Sequence, residues 1–416
     1  MPRLVKAWVV AGFLMIPALV AGPVNKALAE SKPGEKPIIG AVEKSLAGSI
    51  DLFGWRLFDN ILAETSPDGN VLISPLSAWY ALTMTYNGAE GETRRQMATT
   101  LELPDLPTME LNAGCQRLTQ YLTSHDTSLT VKIANSIWHR TEISIRPEFA
   151  DLVERNFDAQ IRALDFGAPG AVDAINGWVA EKTNGCISAI VEPPLDPEIV
   201  MFLINAVYFD AFWKTPFDPT KTQDADFHIP DGSTISCRMM NIRSEFALAE
   251  SESFRAVQLP YGDERISMTA FLPNENHTIA EVAVQIESQE WSELSASFAP
   301  KTIAVSMPKF RFSDDHGLNQ PLKAMGMTAA FTHQADFTAI TDRGGMVIDS
   351  VIHKTFIKVD EKGTEAAAVT AVGMRKGLAP ALPTIVFDRP FLFLIADQEA
   401  GNILFIGKVA HPIFAD

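Results

Sequence analysis

The chain contains 416 residues, with 34 Lys or Arg against 51 Asp or Glu and a formal net charge of −17. Nucleic acids and anionic membranes carry the same sign, so both are poor partners, and no basic run suggests a heparin-like site. Cys115, Cys186 and Cys237 lack CxxC or Cys/His metal spacing, so we predict no metal and no cofactor. One disulfide is conceivable from the sequence, but three buried thiols are the favoured interpretation.

Residues 1–29 have the pattern of a secretory signal peptide. Arg3 and Lys6 form a basic start, residues 7–21 are apolar, and residues 27–29 form an A-x-A cleavage signal. An uncleaved membrane anchor is the alternative, but the apolar run is shorter than the ~20 residues needed to span a bilayer. We therefore expect cleavage after this signal and a secreted protein, either periplasmic or extracellular.

The rest of the chain is predicted to contain a disordered polar tail, residues 30–44, and one domain, residues 45–416. Apolar residues at helical spacing predict a first helix within Ile38–Thr65. The next predicted elements are a short strand, a helix that begins at Ser74-Pro75 and stops at Asn87-Gly88, and a strand around "IANSIW". They are followed by a helix "VDAINGWVAEKTNGCI", closed by Asn184-Gly185, and a continuous apolar strand "VMFLINAVYFDAFWKTPF" that ends in an aromatic cluster.

Strand patterns dominate the second half of the chain. Short alternating segments between Phe227 and Phe310 predict several antiparallel strands. They are followed by a short helix "LKAMGM", a long strand "SVIHKTFIKVD" and two C-terminal strands, "IVFDRPFLFLIAD" and "GNILFIGKVAHP". Without an internal repeat or a linker, this order predicts a mixed α+β fold in a single large domain.

The motifs that commonly mark enzymes do not occur in this sequence. It contains no G-x-S-x-G elbow, no Walker-type loop, no H-E-x-x-H helix and no G-x-G-x-x-G fingerprint. Its eight histidines are scattered. We therefore expect a protein without catalytic residues.

One long segment between two predicted strands needs a functional explanation. It reads "DEKGTEAAAVTAVGMRKGLAPALPTIVFDRPF", from Asp360 to Phe391. Loops beyond about 12–15 residues are uncommon in compact domains and are usually functional or disordered.

This segment and several dispersed motifs resemble one family, the serpins, from about Ser45 to the C-terminus. The motifs, in the family's order, are "NVLISPLSAWYAL" with "YNGAEGET", "IANSIW", "NGWVAEKTNGCI", "LINAVYFDAFWKTPF", "MPKFRF", "LKAMGM" with "ADFTAI", "VIHKTFIKVDEKGTEAAAVT", "FDRPFLFLIAD" and "ILFIGKV". With its leader, the chain resembles a secreted prokaryotic-type member. The resemblance implies an α+β serpin fold with three β-sheets, about nine helices and an exposed reactive-centre loop at about residues 361–386.

The resemblance also implies a function. A serine protease would cleave the loop as if it were a substrate and become acylated, and the freed part of the loop would insert as a new strand into the central sheet. The alternative is a non-inhibitory serpin that acts as a carrier, chaperone or storage protein. In either case we expect a monomer.

The hinge of the loop has a composition that fits insertion, because strand side chains alternate between two faces. Every second residue from Thr364 to Met374 is uncharged and none is proline, whereas Glu365 and Arg375 fall on the other face. Gly363 allows the backbone to change direction. The hinge residues are Glu361, Gly363, Thr364, Ala366, Ala367 and Ala368.

Two further groups are implied by the resemblance to control opening of the sheet. Ser74, Ser77, Asn205 and His353 match the family's polar cluster beneath the central strands. Trp213 matches the tryptophan at the point where the loop first enters the sheet.

The position of the cleaved bond follows from counting residues and has an uncertainty of a residue or two within Arg375–Ala379. Counting from Glu361 as the family does gives Gly377–Leu378, with Lys376–Gly377 close behind and Leu378–Ala379 third. Three specificities are open: Lys376 or Arg375 suits a trypsin-like pocket with a buried acid, and Leu378 suits a chymotrypsin- or subtilisin-like pocket. Gly377 or Ala379 suits an elastase-like pocket.

Overall fold

A computed structural model describes residues 39–123, 129–288, 291–342, 344–364 and 382–414. Several predictions lie outside these residues: the leader at 1–29, most of the tail, the hinge residues Ala366, Ala367 and Ala368, and the candidate bonds between Lys376 and Leu378.

The described residues contain nine α-helices, the number that the resemblance implies. They are α1 (Ala41–Glu64), α2 (Pro75–Tyr86), α3 (Gly91–Thr100), α4 (Thr108–Thr123), α5 (Pro147–Phe157), α6 (Ala171–Lys182), α7 (Ile279–Glu287), α8 (Trp291–Ala296) and α9 (Asn319–Ala324). None of the helices within the described ranges is long and apolar enough to cross a membrane.

The fifteen strands of the described residues form two hydrogen-bonded sheets. They are β1 (Val71–Ile73), β2 (Leu129–Arg140), β3 (Gln160–Leu164), β4 (Met201–Phe212), β5 (Gln223–His228), β6 (Thr234–Glu250), β7 (Phe254–Pro260), β8 (Ile266–Pro273), β9 (Ala299–Pro308), β10 (Phe310–Gly317), β11 (Ser350–Val359), β12 (Gly363–Thr364), β13 (Thr384–Val386), β14 (Phe391–Asp397) and β15 (Asn402–Val409).

The resemblance implies three β-sheets, whereas the described strands form two hydrogen-bonded sheets. The pairing within the nine-stranded sheet explains this difference. The long strand β6 pairs with β5 through residues 234–239 and with β7 through residues 247–250. One continuous strand therefore joins two groups of strands into a single hydrogen-bonded network.

The six-stranded sheet has the order β10-β11-β4-β2-β3, and β12 lies beside β4. It is mixed, because β11 runs parallel to β4 while β2 and β10 are antiparallel to their neighbours. Its central strand β4 is covered on both faces. Leu203 and Val207 belong to the main core, and Phe202 and Ile204 belong to a smaller core under α6. Burial on both faces explains the continuous apolar sequence of β4.

Helix α2 supports this sheet from the main-core side. Ser74 caps its first turn by accepting a hydrogen bond from Ser77 N–H, and Pro75 occupies the first helical position. Eleven of its twelve residues are buried. The helix therefore holds both serines against the sheet.

The several antiparallel strands predicted between Phe227 and Phe310 are confirmed as β6 to β9, but two helices that were not predicted, α7 and α8, lie between β8 and β9. Helix α7 begins at a capping box in which Thr278 and Glu281 exchange hydrogen bonds. At the cysteines, Cys115 and Cys237 are buried free thiols, whereas Cys186 is only half-buried.

Candidate functional site: the opening between two central strands

The two central strands β4 and β11 pair along only part of their length. Their parallel pairing runs from Phe202 and Ser350 to Val207 and Thr355, six rows in all. Both strands then continue, to Phe212 and Val359, without pairing to each other in the described structure. The sheet therefore has a closed lower end and an open upper end between these strands.

The upper end already holds the first residues of the hinge. Gly363 pairs with Phe212 and Thr364 pairs with Ala211, both antiparallel. Gly363 has φ of 155°, and a Cβ built on it would lie 2.1 Å from the carbonyl oxygen of Ala211. Only glycine fits this close approach.

Thr364 is buried in the uncleaved protein, with 2% of its surface exposed. Its Oγ1 lies 2.7 Å from the hydroxyl of Tyr261, whose ring is stacked on Trp213 at 4.4 Å between centroids. Trp213 Nε1–H donates to the carbonyl oxygen of Asp360 at 2.9 Å. The resemblance implies a loop that is exposed from about Glu361 onward. In the structure, however, Gly363 and Thr364 are paired with β4 and lie in the sheet.

Glu361 is held at the upper end by charged and neutral partners. Lys309 Nζ lies 2.9 Å from Glu361 Oε2, and Thr222 Oγ1–H donates to Glu361 Oε1 at 2.7 Å. Burial alone would raise the pKa of Glu361, but the hydrogen bonds from Thr222 and Lys309 outweigh it, so the pKa lies below its ordinary value. Glu361 is therefore ionised at neutral pH.

The lower end is closed by a neutral histidine. Ser74 N–H donates to His353 Nε2 at 3.0 Å, so the ring proton is on Nδ1, which donates to Asn205 Oδ1 at 2.9 Å. Burial, and then the nearby His316, lower the pKa of His353 to about 3. A fully buried imidazole with one donor and one acceptor role satisfied has no need of a charge.

A row of polar residues crosses the sheet at this level. Asn135, Asn205, His353 and His316 are register partners on β2, β4, β11 and β10. Asn205 Nδ2–H donates to Asn135 Oδ1 at 2.6 Å and to the carbonyl oxygen of Ser77 at 3.0 Å. Asn205 thus joins the predicted serines of α2 to the predicted histidine of β11.

Two buried polar atoms at this level have no hydrogen-bond partner among the described residues: Asn135 Nδ2 in the row and Ser77 Oγ on α2. Each such atom costs about 1–3 kcal/mol when it is left unpaired. These unpaired atoms offset part of the stabilisation that the hydrogen bonds of the row provide.

The structure places the predicted site residues in two groups. Ser74, Ser77, Asn205 and His353 meet at the lower end. Trp213, Glu361, Gly363 and Thr364 meet at the upper end.

Five contributors were not predicted: Asn135, Thr222, Tyr261, Lys309 and His316. The sequence contained a signal for Asn135, because it is a polar residue inside the apolar strand motif "IANSIW".

No group of three His, Cys, Asp or Glu that could hold a metal occurs in the part of the chain that the structure describes.

The family model described as "Serpin (serine protease inhibitor)" matches residues 49–412. The chain belongs to the serpin family. This serpin is 31% identical to human neuroserpin over 363 residues, which cover 85% of this chain and 88% of neuroserpin. It is 34% identical to an uncharacterized serpin-like protein of Thermococcus kodakarensis over 375 residues, 89% of this chain and 86% of that protein.

Its fold is also that of solved serpins. Human thyroxine-binding globulin, solved in complex with thyroxine, superposes with a TM-score of 0.83 at 28% identity, over 89% of this chain and 100% of that one. Serpins are in general protease inhibitors, but this neighbour is a thyroxine-binding protein. These relatives come from human and from an archaeon, and none of their names indicates a secreted prokaryotic type, which remains a prediction.

Proposed function

We propose that this serpin inhibits serine proteases as a suicide substrate. The protease cleaves the reactive-centre loop, and the freed part of the loop inserts between β4 and β11 before the acyl-enzyme is hydrolysed. The observation that carries this proposal is the hinge itself: β12 is paired with the upper end of β4, on a strand whose pairing with β11 stops at Val207 in the described structure.

The register of β12 supports insertion of the whole segment. Continuing the pairing of Thr364 with Ala211 brings Ala366 beside Phe209 and Ala368 beside Val207. These are main-core positions of β4. The small, uncharged residues of the loop would therefore enter the face of the sheet that packs on the main core, where an unpaired charge is unfavourable.

The opposite face of the inserted strand meets a second constraint. In the same register Ala371 lies beside Ile204 and Gly373 beside Phe202, in the smaller core under α6. Small residues are needed there too. The charged Glu365 falls beside Asp210, close to the top of β4, where the strand is half-buried.

Insertion also explains the polar row at the lower end. A strand placed between β4 and β11 moves them apart to about 9–10 Å, twice the ordinary strand spacing, and breaks the bond of His353 to Asn205. Thr370 falls beside Asn205 in the continued register. Its hydroxyl can then bond the groups that the opening leaves unpaired.

Insertion would move the acylated protease over a long distance, and this displacement would slow hydrolysis of the acyl-enzyme. Fourteen residues from Thr364 to Gly377, at about 3.3 Å each, form a strand of about 46 Å. A protease acylated at the end of this strand is carried that far, and distortion of its oxyanion hole alone slows hydrolysis about 10²–10³-fold. The uncleaved state is held by kinetics until the loop is cut.

We also propose that the mature protein begins at Glu30 and is secreted, on the strength of the leader pattern in residues 1–29. The proposed cleaved bond is Gly377–Leu378, with Lys376–Gly377 as the alternative. Together these assign a secreted, monomeric inhibitor whose targets are trypsin-, chymotrypsin-, subtilisin- or elastase-like proteases.

The test is to incubate residues 30–416 with trypsin, chymotrypsin, elastase and subtilisin. We expect an SDS-stable complex with at least one of them, and mass spectrometry of the released C-terminal peptide identifies the bond. Cleavage of the loop by all four proteases without any covalent complex would contradict the proposal.

A carrier role is the second candidate, favoured by a cleft of about 450 Å³ between α1, α7, α8 and β14–β15. Its lining is mostly apolar, and it includes Asp51, whose pKa is raised by burial. Pockets of about 300–1,000 Å³ suit small ligands. Calorimetry with thyroxine tests this role: a carrier binds it and forms no covalent complex with any of the four proteases.

A further inference from the structure

The C-terminal segment after β15 follows a path fixed by hydrogen bonds to two separate elements. Asn70 Oδ1 accepts from the backbone N–H of Ala410 and of His411, each at 2.9 Å, and Asn70 Nδ2–H donates to the His411 carbonyl at 2.9 Å. Further along, Arg311 N–H donates to the Ile413 carbonyl at 2.8 Å. The segment therefore runs to the start of β10, next to Lys309.

Lys309 lies between the C-terminal segment and the hinge. Its ammonium group is 4.3 Å from the ring centroid of Phe414 and 2.9 Å from Glu361 Oε2. Only 17% of the Lys309 side chain and 11% of the Glu361 side chain are exposed. The ammonium has an anion on one side and the negative face of an aromatic ring on the other.

The ring does two things for this ion pair. It attracts the ammonium directly, and it excludes water from it, which strengthens the interaction between opposite charges. An ion pair of this kind is worth more than one exposed to solvent. Phe414 thus favours the rotamer of Lys309 that reaches Glu361.

Glu361 passes this effect to the loop. Its carboxylate is bound to Lys309 and Thr222, and its backbone carbonyl accepts from Phe217 N–H at 2.8 Å. It stands two residues before Gly363, the first residue of β12. A change in the position of Lys309 therefore changes the position of Glu361 and of the turn that leads into β12.

We propose that Phe414 is a positioning residue for the hinge, holding Lys309 on Glu361 and so setting how readily the reactive-centre loop leaves or extends its first contacts with β4. This inference rests on the proposed function only for its consequence, which is the control of insertion. The contact itself is measurable in the uncleaved protein without any protease.

The experiment measures hydrogen exchange of the peptide that contains Gly363 and Thr364 in the uncleaved protein. We expect Phe414→Ala to raise its exchange rate about two- to fivefold, the range of an exposed cation–π contact. Phe414→Tyr keeps the ring and should restore the wild-type rate. Ile413→Ala is the matched control, since that side chain is exposed and only its backbone bonds Arg311.

A double-mutant cycle separates action through Lys309 from general loosening of the C-terminus. Lys309→Met alone should raise hinge exchange at least as much as Phe414→Ala, and the double variant no further. Additive effects, or unchanged exchange in Phe414→Ala, would overturn the proposal. If no covalent complex forms with any protease, the proposed function fails, while the hinge exchange still decides the role of Phe414.

Discussion

The two ends of the seam between β4 and β11 are held by different kinds of interaction. At the lower end the two strands are joined by six rows of backbone pairing, and three buried polar side chains, those of Asn135, Asn205 and the neutral His353, lie across them. At the upper end the strands are not paired to each other, and an ion pair between Lys309 and Glu361 fixes the turn before β12. The closed end depends on hydrogen bonds, and the open end depends partly on charge.

In the proposed mechanism, insertion would have two stages, because β4 and β11 are paired with each other only at the lower end. Under the proposed mechanism, residues Glu365–Ala367 would lie beside Tyr208, Phe209 and Asp210, which follow the six rows in which β4 is paired with β11. From Ala368 onward, each residue must displace a row in which β4 is paired with β11. The barrier to insertion therefore lies at the lower end, and the loop can advance three residues before it is reached.

The largest expected effect comes from blocking the first stage. Ala366→Arg would place an unpaired charge beside Phe209 in the main core during insertion, at a cost of several kcal/mol. The candidate bonds are ten or more residues away, so cleavage should proceed. We expect covalent complex to fall at least tenfold relative to cleaved, released inhibitor, measured by gel electrophoresis.

Glu365→Arg is the matched control, because it adds the same side chain one position away on the opposite face. There the new charge falls beside Asp210 rather than in the core. This variant should still trap the protease. If both arginine variants trap equally well, strand insertion is not the mechanism.

The sequence was sufficient to predict features that depend on local pattern or on family motifs. The cap of α2 at Ser74 and the apolar strand β4 are confirmed. Helix α7 was not predicted, although Thr278 and Glu281 form an S/T-x-x-E signal, because the short segments around it alternate as strands do.

Features that depend on long-range register could not be predicted. Asn135 becomes a partner of Asn205 only because β2 and β4 pair in one particular register across 70 positions of sequence. Tyr261 reaches Thr364 by a contact across 103 positions. No local pattern in either segment indicates these partners, and a shift of one residue would turn each side chain to the opposite face.

The next effect is expected from weakening the lower end. His353→Ala leaves Asn205 Oδ1 and the backbone N–H of Ser74 without their partner, at about 1–3 kcal/mol. The sheet should open more easily, so mild heating should produce polymers or a latent monomer, detected by size-exclusion chromatography and activity. His228→Ala, at an exposed histidine, should behave as wild type. A His353→Ala protein that also stays monomeric and active would refute the role of the row.

Changing the pH should distinguish the two ends. The pKa of His353 is lowered from 6.5 to about 3, so between these values only the unfolded state binds the proton, and stability falls as pH falls by about 1.4 kcal/mol per unit. Glu361 has a pKa below 4.5, so its contribution is present above that value and is lost only at lower pH. From pH 6.5 to 5 the lower end alone should respond.

The measurement is the free energy of unfolding of wild type minus that of His353→Gln across this range. The difference removes other titrating groups, such as His139, whose pKa is also lowered by burial. We expect a positive slope with pH between 5 and 6.5. A flat difference would show that His353 is not buried as a neutral ring.

The smallest effect concerns the contact that holds the hinge at the upper end. Tyr261→Phe removes the hydroxyl bonded to Thr364 Oγ1 but keeps the ring stacked on Trp213. Thr364→Val removes the other partner with little change in shape. Each single variant should lose about 1 kcal/mol of hinge stability, since it leaves a buried hydroxyl unpaired. In hydrogen exchange of the Gly363–Thr364 peptide, this is about a fivefold faster rate.

The double variant sharpens the test, because replacing both polar partners by apolar groups removes the unpaired hydroxyl as well as the bond. Tyr261→Phe with Thr364→Val should therefore exchange nearly as slowly as wild type. If the two effects simply add, the hydroxyls do not act as a pair, and the hinge is held by the backbone pairing of β12 alone. If the double variant recovers, the side-chain contact is a specific latch at the open end, weaker than the polar row that closes the other.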